Sequence, residues 1–301
     1  MKTRERLSFG LALALFLPFP GFSGVAGAEP EKEPVRHYVA MGDSYVSKPG
    51  AKGLDPGGPN CARTDENYPA FVAEGLGLSP GNGFVDVSCA GAKTSALAGE
   101  QESALGVIVP PQLDAVDEDT DLVTMSFGPN DQDFMVKIVT TCLMIGLTDP
   151  DGASCRQQAA EEQPLLTDQG YAGVRDNIHR DLRGAVDAIK AKAPRSRVAL
   201  VGYPQVFPVG KTCDATTPMT PRDMAWINEK IQGINATIQQ VAKETGQIYV
   251  DTYGPSVGKG LCSAGPSWES GFLTTNWLES EPLHLTPLGA REIAKIVLSK
   301  V

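Results

Sequence analysis

Apolar residues fall into two alternating patterns along the chain. Short continuous runs bounded by glycine or polar residues occur at 37–42 (HYVAMG), 83–88 (GFVDVS), 121–127 (DLVTMSF), 197–203 (RVALVGY) and 247–252 (QIYVDT). Their length and composition predict buried strands. Between them lie segments whose apolar positions recur near the helical period, at about 67–76, 131–145, 170–192, 221–244 and 287–300. In 221–244 the repeating face is Ala225, Ile227, Ile231, Ile234, Ile238 and Val241, with Pro221 suited to a first turn and Thr220 to an N-cap. Thr286 and Pro287 open the last helix in the same way. Strands rich in Val, Ala and Ile with helices between them predict a three-layer α/β/α sandwich. Its centre is a five-stranded, mostly parallel sheet of flavodoxin-like order.

The first 28 residues stand apart from this pattern. Lys2, Arg4 and Arg6 precede an apolar run over 9–22, and Ala26-Gly27-Ala28 offers a small-x-small cleavage site. This is the layout of an export signal, with the mature chain starting at Glu29. The run is short and broken by Pro18, Pro20 and Gly21, whereas a bilayer span needs about 20 apolar residues. The remainder, 29–301, has the length of one large α/β domain and contains no internal repeat or linker. A secreted protein without a stable membrane anchor is expected.

The net charge of −10 becomes more negative once the basic leader is removed. Nucleic acid and anionic membrane surfaces are therefore poor partners. Six cysteines, at 61, 89, 142, 155, 213 and 262, form no C-x-x-C pair, and the three histidines are far apart. In an exported chain this favours disulfides over a metal site. Fifteen pairings exist on paper, and sequential pairing closes loops of modest length: Cys61–Cys89, Cys142–Cys155 and Cys213–Cys262. No metal or organic cofactor is implied.

In doubly wound folds the site lies at the carboxyl ends of the strands. There the first strand delivers "VAMGDSY" (39–45), a serine placed abruptly at the tip of an apolar element. It reads either as a turn or as a nucleophile. A nucleophilic Ser44 needs a base. His37 begins the first strand at its far end, and His179 lies within a helical pattern, whereas His284 sits in a loop just ahead of Thr286. Its near-neutral intrinsic pKa suits it to accept and return a proton. The loops 46–64, 146–167, 204–220 and 254–283 are long enough to shape a cleft. Met135, Ile138, Val139, Met144 and Ile145 could either line an acyl pocket or be plain core.

Four ordered blocks carry a resemblance. "GDSY" at 42–45, "CAGAKT" at 89–94, "GPND" at 128–131 and "PLH" at 282–284 resemble the blocks of the SGNH (GDSL) hydrolases, and Cys61 to Pro69 resembles a further stretch of their secreted bacterial lipases and esterases. The resemblance implies Ser44 as nucleophile and His284 as base. It implies an oxyanion hole made from the backbone N–H groups of Ser44 and Gly91 and the side-chain amide of Asn130. Asp43 and Asp131 are expected to hold turn backbones. Two departures stand out. Pro129 replaces the usual glycine of the third block, and Glu281 stands where an aspartate usually precedes the histidine by three residues. The orienting group is then either the Glu281 carboxylate or its main-chain oxygen.

The function expected is a carboxylic ester hydrolase working through an acyl-serine intermediate on small-molecule or lipid acyl esters. Alternatives using the same site are a phospholipase and a carbohydrate O-deacetylase; a non-catalytic lipid- or glycan-binding protein is a third. "GPSVG" at 254–258 matches the nucleophile elbow of α/β-hydrolases but is not followed by a helical pattern. Oligomeric state is not legible in the sequence, and a monomer is the default.

Overall fold

The five predicted strands all form, and they assemble side by side as a parallel sheet. In a computed structural model, residues 33–50, 59–103, 105–148, 155–213, 217–272 and 280–301 are described. Residues 35–301 form one compact unit, and the leader, 1–28, lies outside the described residues. The strands in chain order are β1 (Tyr38–Gly42), β2 (Ser79–Pro80), β3 (Gly83–Asp86), β4 (Gln101–Glu102), β5 (Ile108–Val109), β6 (Leu122–Ser126), β7 (Arg197–Val201) and β8 (Ile248–Val250). The helices are α1 (Ser44–Ser47), α2 (Tyr68–Gly75), α3 (Phe134–Thr148), α4 (Cys155–Glu162), α5 (Asp168–Lys192), α6 (Pro221–Thr245), α7 (Tyr253–Ser256) and α8 (Pro287–Leu298).

The main sheet runs β2-β3-β1-β6-β7-β8. All its strand pairs are parallel, with Tyr38 opposite both Phe84 and Leu122. Without the two-residue β2 at its edge, the order is the flavodoxin-like one, so the sheet has six strands where five were expected. Strands β4 and β5 make a separate antiparallel hairpin in the long β3–β6 connection.

Alternation along the strands assigns the two faces. Val39, Met41, Val123, Met125, Val198 and Leu200 pack on the same side as the buried residues of α5 and α6. Tyr38, Ala40, Leu122, Ala199, Val201 and Val250 pack with α2 and α8. Both faces are covered, which is why these strands read as continuous apolar runs. Helix starts follow local chemistry: Thr167, Thr220 and Thr286 each accept a hydrogen bond from a backbone N–H three residues on.

Three boundaries differ from expectation. α3 starts at Phe134 because Gln132 and Asp133 take left-handed backbones (φ 55° and 60°) that no helix can contain. The region 146–167, expected as loop, contains the end of α3 and all of α4. The 254–283 loop begins inside the short helix α7. His37 and His179 take structural places. The backbone of His37 joins β1 to the start of β6, and His179 Nε2 lies 2.8 Å from Glu244 on the outer helices.

The three disulfides are Cys61–Cys89, Cys142–Cys155 and Cys213–Cys262, and the described residues include no free cysteine. No helix among the described residues is long and apolar enough to cross a membrane.

Candidate active site

Gly42 ends β1 with a φ of 157°, and a Cβ there would collide with Val46 and with the carbonyl of Ser126. Only glycine lets the chain turn from strand to helix within a single residue. Asp43 then caps α1, accepting from the N–H of Tyr45 at 2.9 Å. Ser44 becomes the first residue of that helix, half-buried at the carboxyl end of the central strand. The turn is fixed from two sides. Gln112 holds both backbone groups of Gly42, its amide oxygen accepting at 2.8 Å and its amide nitrogen donating at 3.0 Å. The Tyr203 hydroxyl donates to the other Asp43 oxygen at 2.6 Å. Burial pushes the Asp43 carboxyl up to about 7, against the Tyr203 and Tyr45 hydrogen bonds, which pull it down.

Two further segments reach the same place. Cys89 donates its N–H to the Gly42 carbonyl at 3.0 Å, Ala90 to that of Cys61, and the disulfide between those cysteines closes the unit. Gly91 follows with a φ of 76° and open space where a Cβ would stand. Asn130 lies after β6, and its amide donates to the Ala92 carbonyl at 3.1 Å. Asp131 fastens these two segments together, accepting from the Thr94 N–H at 2.8 Å and the Thr94 hydroxyl at 2.7 Å.

The result is a set of uncommitted donors. Among the described residues, the N–H groups of Ser44 and Gly91 donate to no protein acceptor. Asn130 uses one of its two amide protons on Ala92 and keeps the other. Ser44, Gly91, Asn130 and His284 all line a single cleft of about 410 Å³.

His284 arrives on a loop held by backbone pairing. Ser270 donates to the His284 carbonyl at 2.8 Å, Leu283 to Ser270 at 2.9 Å and Thr286 to Trp268 at 2.9 Å. Leu283 is left-handed, at φ 61°. Its carbonyl accepts from the Tyr45 hydroxyl at 3.0 Å, and the Tyr45 ring lies 5.5 Å from the imidazole. The imidazole Nδ1 is 2.9 Å from the Pro282 carbonyl. A carbonyl only accepts, so Nδ1 carries the proton and Nε2 keeps its lone pair. Burial pulls the imidazole pKa down, opposed by the Pro282 hydrogen bond and the nearby Glu281 charge. The net shift favours the neutral ring, the state a base requires. Ser44 and His284 make no direct hydrogen bond in this structure; unliganded sites are often loose in this way.

The group that meets the imidazole Nδ1 is the Pro282 carbonyl, in place of the Glu281 carboxylate or main-chain oxygen expected. Left-handed Leu283 folds the chain so that the carbonyl two residues before the ring, not three, meets Nδ1. The Glu281 side chain is exposed at the cleft rim and acts on the ring only through its charge. The "GPSVG" serine, Ser256, is fully buried, donating to the Tyr253 carbonyl and accepting from the Gln205 N–H. It has no exposed nucleophile to offer.

The cleft walls are apolar. Met135, Val139 and Leu143, from one face of α3, line it together with Phe207, Ile231 and Phe272. Of the other candidate acyl contacts, Ile138 is core and Met144 is exposed, while Ile145 packs against the core. Gln112, Tyr203 and Glu269 escaped the sequence reading because no periodicity or motif marks them. Tyr45 stood within "GDSY" and carried a signal.

Residues 40–292 match the family described as GDSL-like lipase/acylhydrolase. The chain is 31% identical to Lipase 2 of Streptomyces coelicolor over 272 residues, covering 89% of this chain and 86% of the relative. Among solved structures, the extracellular lipase of Streptomyces rimosus is similar with a TM-score of 0.67 and 27% identity, over 88% of this chain and 100% of the other. Phospholipase A1 of Streptomyces albidoflavus is similar with a TM-score of 0.67 and 26% identity, over 89% of this chain and 100% of the other.

Proposed function

From the premise that the chain belongs to the GDSL-like lipase/acylhydrolase family and is a carboxylic ester hydrolase, we propose that Ser44 is its acylated nucleophile and His284 its general base. The observation that carries this reading is the single cleft into which one serine, one neutral histidine and three uncommitted N–H donors open.

His284 Nε2 takes the Ser44 proton as the hydroxyl oxygen attacks the ester carbonyl. The tetrahedral oxyanion is received by the N–H groups of Ser44 and Gly91 and the Asn130 amide, donors fixed before the charge develops. The imidazolium is steadied by the Pro282 carbonyl and the Glu281 charge. It then protonates the departing alcohol, and a water repeats the sequence on the acyl-enzyme.

The substrate is an acyl ester with an extended apolar acid part. A cleft of about 410 Å³ walled by α3, Phe207 and Phe272 leaves an acetyl group largely uncovered, so the carbohydrate O-deacetylase reading is the weaker one. Glycerides and phospholipids both offer such chains. The likeness to a phospholipase A1 supports including phospholipids in the range. The leader, the three disulfides and the likeness to an extracellular lipase support secretion after cleavage near Ala28-Glu29.

The experiment is an ester panel of increasing acyl length on the mature protein and on Ser44→Ala and His284→Ala, with fluorophosphonate labelling. Both variants are expected to fold and lose turnover, and Ser44→Ala to lose the label. Unchanged turnover in Ser44→Ala ends the assignment.

A further inference from the structure

Glu269 is a fully buried acid that the mechanism above does not use. It is 2% exposed, and among the described residues its Oε1 has no hydrogen-bond partner. No cation pairs with it among the described residues. Its Oε2 lies 3.3 Å from the Tyr45 hydroxyl, which itself lies 3.0 Å from the Leu283 carbonyl. Through the backbone, Glu269 bridges to Leu285, on the far side of His284.

Counting protons fixes the polarity of this chain of groups. Tyr45 has one hydroxyl proton and two oxygen neighbours. The Leu283 carbonyl can only accept and is the nearer of the two, so it takes the tyrosine proton. The contact to Glu269 is then a hydrogen bond only if the acid holds a proton and donates it to the tyrosine oxygen. A carboxylate here would be buried without a cation and would repel the same oxygen, an arrangement costing several kcal/mol. Burial pushes the Glu269 carboxyl well above its usual range, against the contact with Tyr45, which pulls it down.

We propose that Glu269 is a positioning residue which, as a neutral acid, donates to Tyr45 and so sets Tyr45 to hold the Leu283 carbonyl and the His284 loop in place. The relay runs Glu269 O–H to Tyr45 O–H to Leu283 C=O. Its last member is the left-handed residue whose conformation brings the Pro282 carbonyl to the imidazole. A non-glycine residue in that conformation is strained, so the loop needs an outside tie to keep the ring in register. Tyr45 is adjacent to Ser44 in sequence, so the same side chain links nucleophile and base.

The inference rests on His284 being the base, and the test separates the two. Kinetics on a soluble p-nitrophenyl ester are measured for Tyr45→Phe, Glu269→Met, Glu269→Gln and the Tyr45→Phe/Glu269→Met double variant, with thermal melts alongside. Tyr45→Phe and Glu269→Met are each expected to lower kcat about tenfold with KM within about twofold, as a slightly displaced base would. The double variant loses no more than either single one, because one relay is broken only once. Glu269→Gln, whose amide can donate as the acid does, stays within about threefold of the parent. If Glu269→Met does not fold, Tyr45→Phe and Glu269→Gln carry the test. A Glu269→Gln variant as impaired as Tyr45→Phe overturns the relay, and so do additive losses or losses confined to KM. Full turnover in His284→Ala removes the base and the relay with it. Loss of turnover in His284→Ala, with Tyr45→Phe and Glu269→Met both at parental rates, overturns the relay alone.

Discussion

Asp131 bonds the segment carrying Gly91 to the segment carrying Asn130, so its loss should be read in both stability and rate. In Asp131→Ala the buried N–H of Thr94 loses its acceptor at 2.8 Å, while the Thr94 hydroxyl can turn to Asp181, 3.2 Å away. One buried donor is left unpaired, worth about 1–3 kcal/mol. Loosening Gly91 relative to Asn130 adds a misplacement in the oxyanion hole, for which a 10- to 100-fold loss of kcat is the rough scale. Asp131→Asn behaves differently. Its amide oxygen still accepts from the Thr94 N–H, its amide nitrogen donates to the hydroxyl, and the hydroxyl proton is free to go to Asp181. Burial raises the Asp131 pKa, so the neutral amide also removes the cost of a buried charge. Chemical denaturation and kcat on p-nitrophenyl butyrate measure the two effects. Asp131→Asn is expected near parental values in both, and Asp131→Ala low in both. Equal activity in the two variants would refute the claim that this bond aligns the donors.

Asn130→Ala removes one oxyanion donor and should cost ~2.7–4 kcal/mol of transition-state stabilisation, read as a fall in kcat at nearly constant KM; a change confined to KM would contradict the assignment. Leu143→Phe narrows the cleft between α3 and Phe207, and kcat/KM for decanoyl relative to acetyl esters should drop roughly tenfold, which a chain-length series measures directly. Asp43 has its pKa raised to about 7 from 3.8, so the folded state holds this proton more tightly than the unfolded chain does. The contribution of Asp43 to stability is therefore fully present below about pH 4 and is lost as pH rises toward about 7, by an amount on the order of 4 kcal/mol. Asp43→Asn imitates the neutral acid, and urea midpoints between pH 4 and 7 should be flatter in that variant than in the parent.

What was legible in the sequence was the part governed by local pattern. Strands β1, β3, β6, β7 and β8 showed as apolar runs because both faces of the sheet are buried, and α5, α6 and α8 showed through period and cap. Gly42 was legible because the abrupt turn after a strand needs a glycine, and Gly91 and Asn130 through the family blocks that contain them. The orienting carbonyl was not. It depends on the left-handed Leu283, and no residue type announces a positive φ at a leucine. Gln112, Tyr203 and Glu269 act on the site across 70, 160 and 224 residues of sequence, and single-chain pattern carries no trace of such pairings. α4 was missed because its residues, CRQQAAEE, are polar and present no repeating apolar face.

The six bridged sulfurs share a position in the fold. Each lies in a connection that leaves the carboxyl end of a main-sheet strand, and none lies in a strand of the main sheet. The floor of the molecule is thus held by oil-like burial, and its mouth by covalent thread. Cys61, Cys89, Cys142 and Cys155 are buried, so a thiol reagent reaches these bridges only once the mouth has opened. Acyl-length selectivity and heat resistance are therefore tied together in this enzyme, because opening a bridge loosens the segments carrying Ala90 and Leu143 and frees the unfolded chain at the same time.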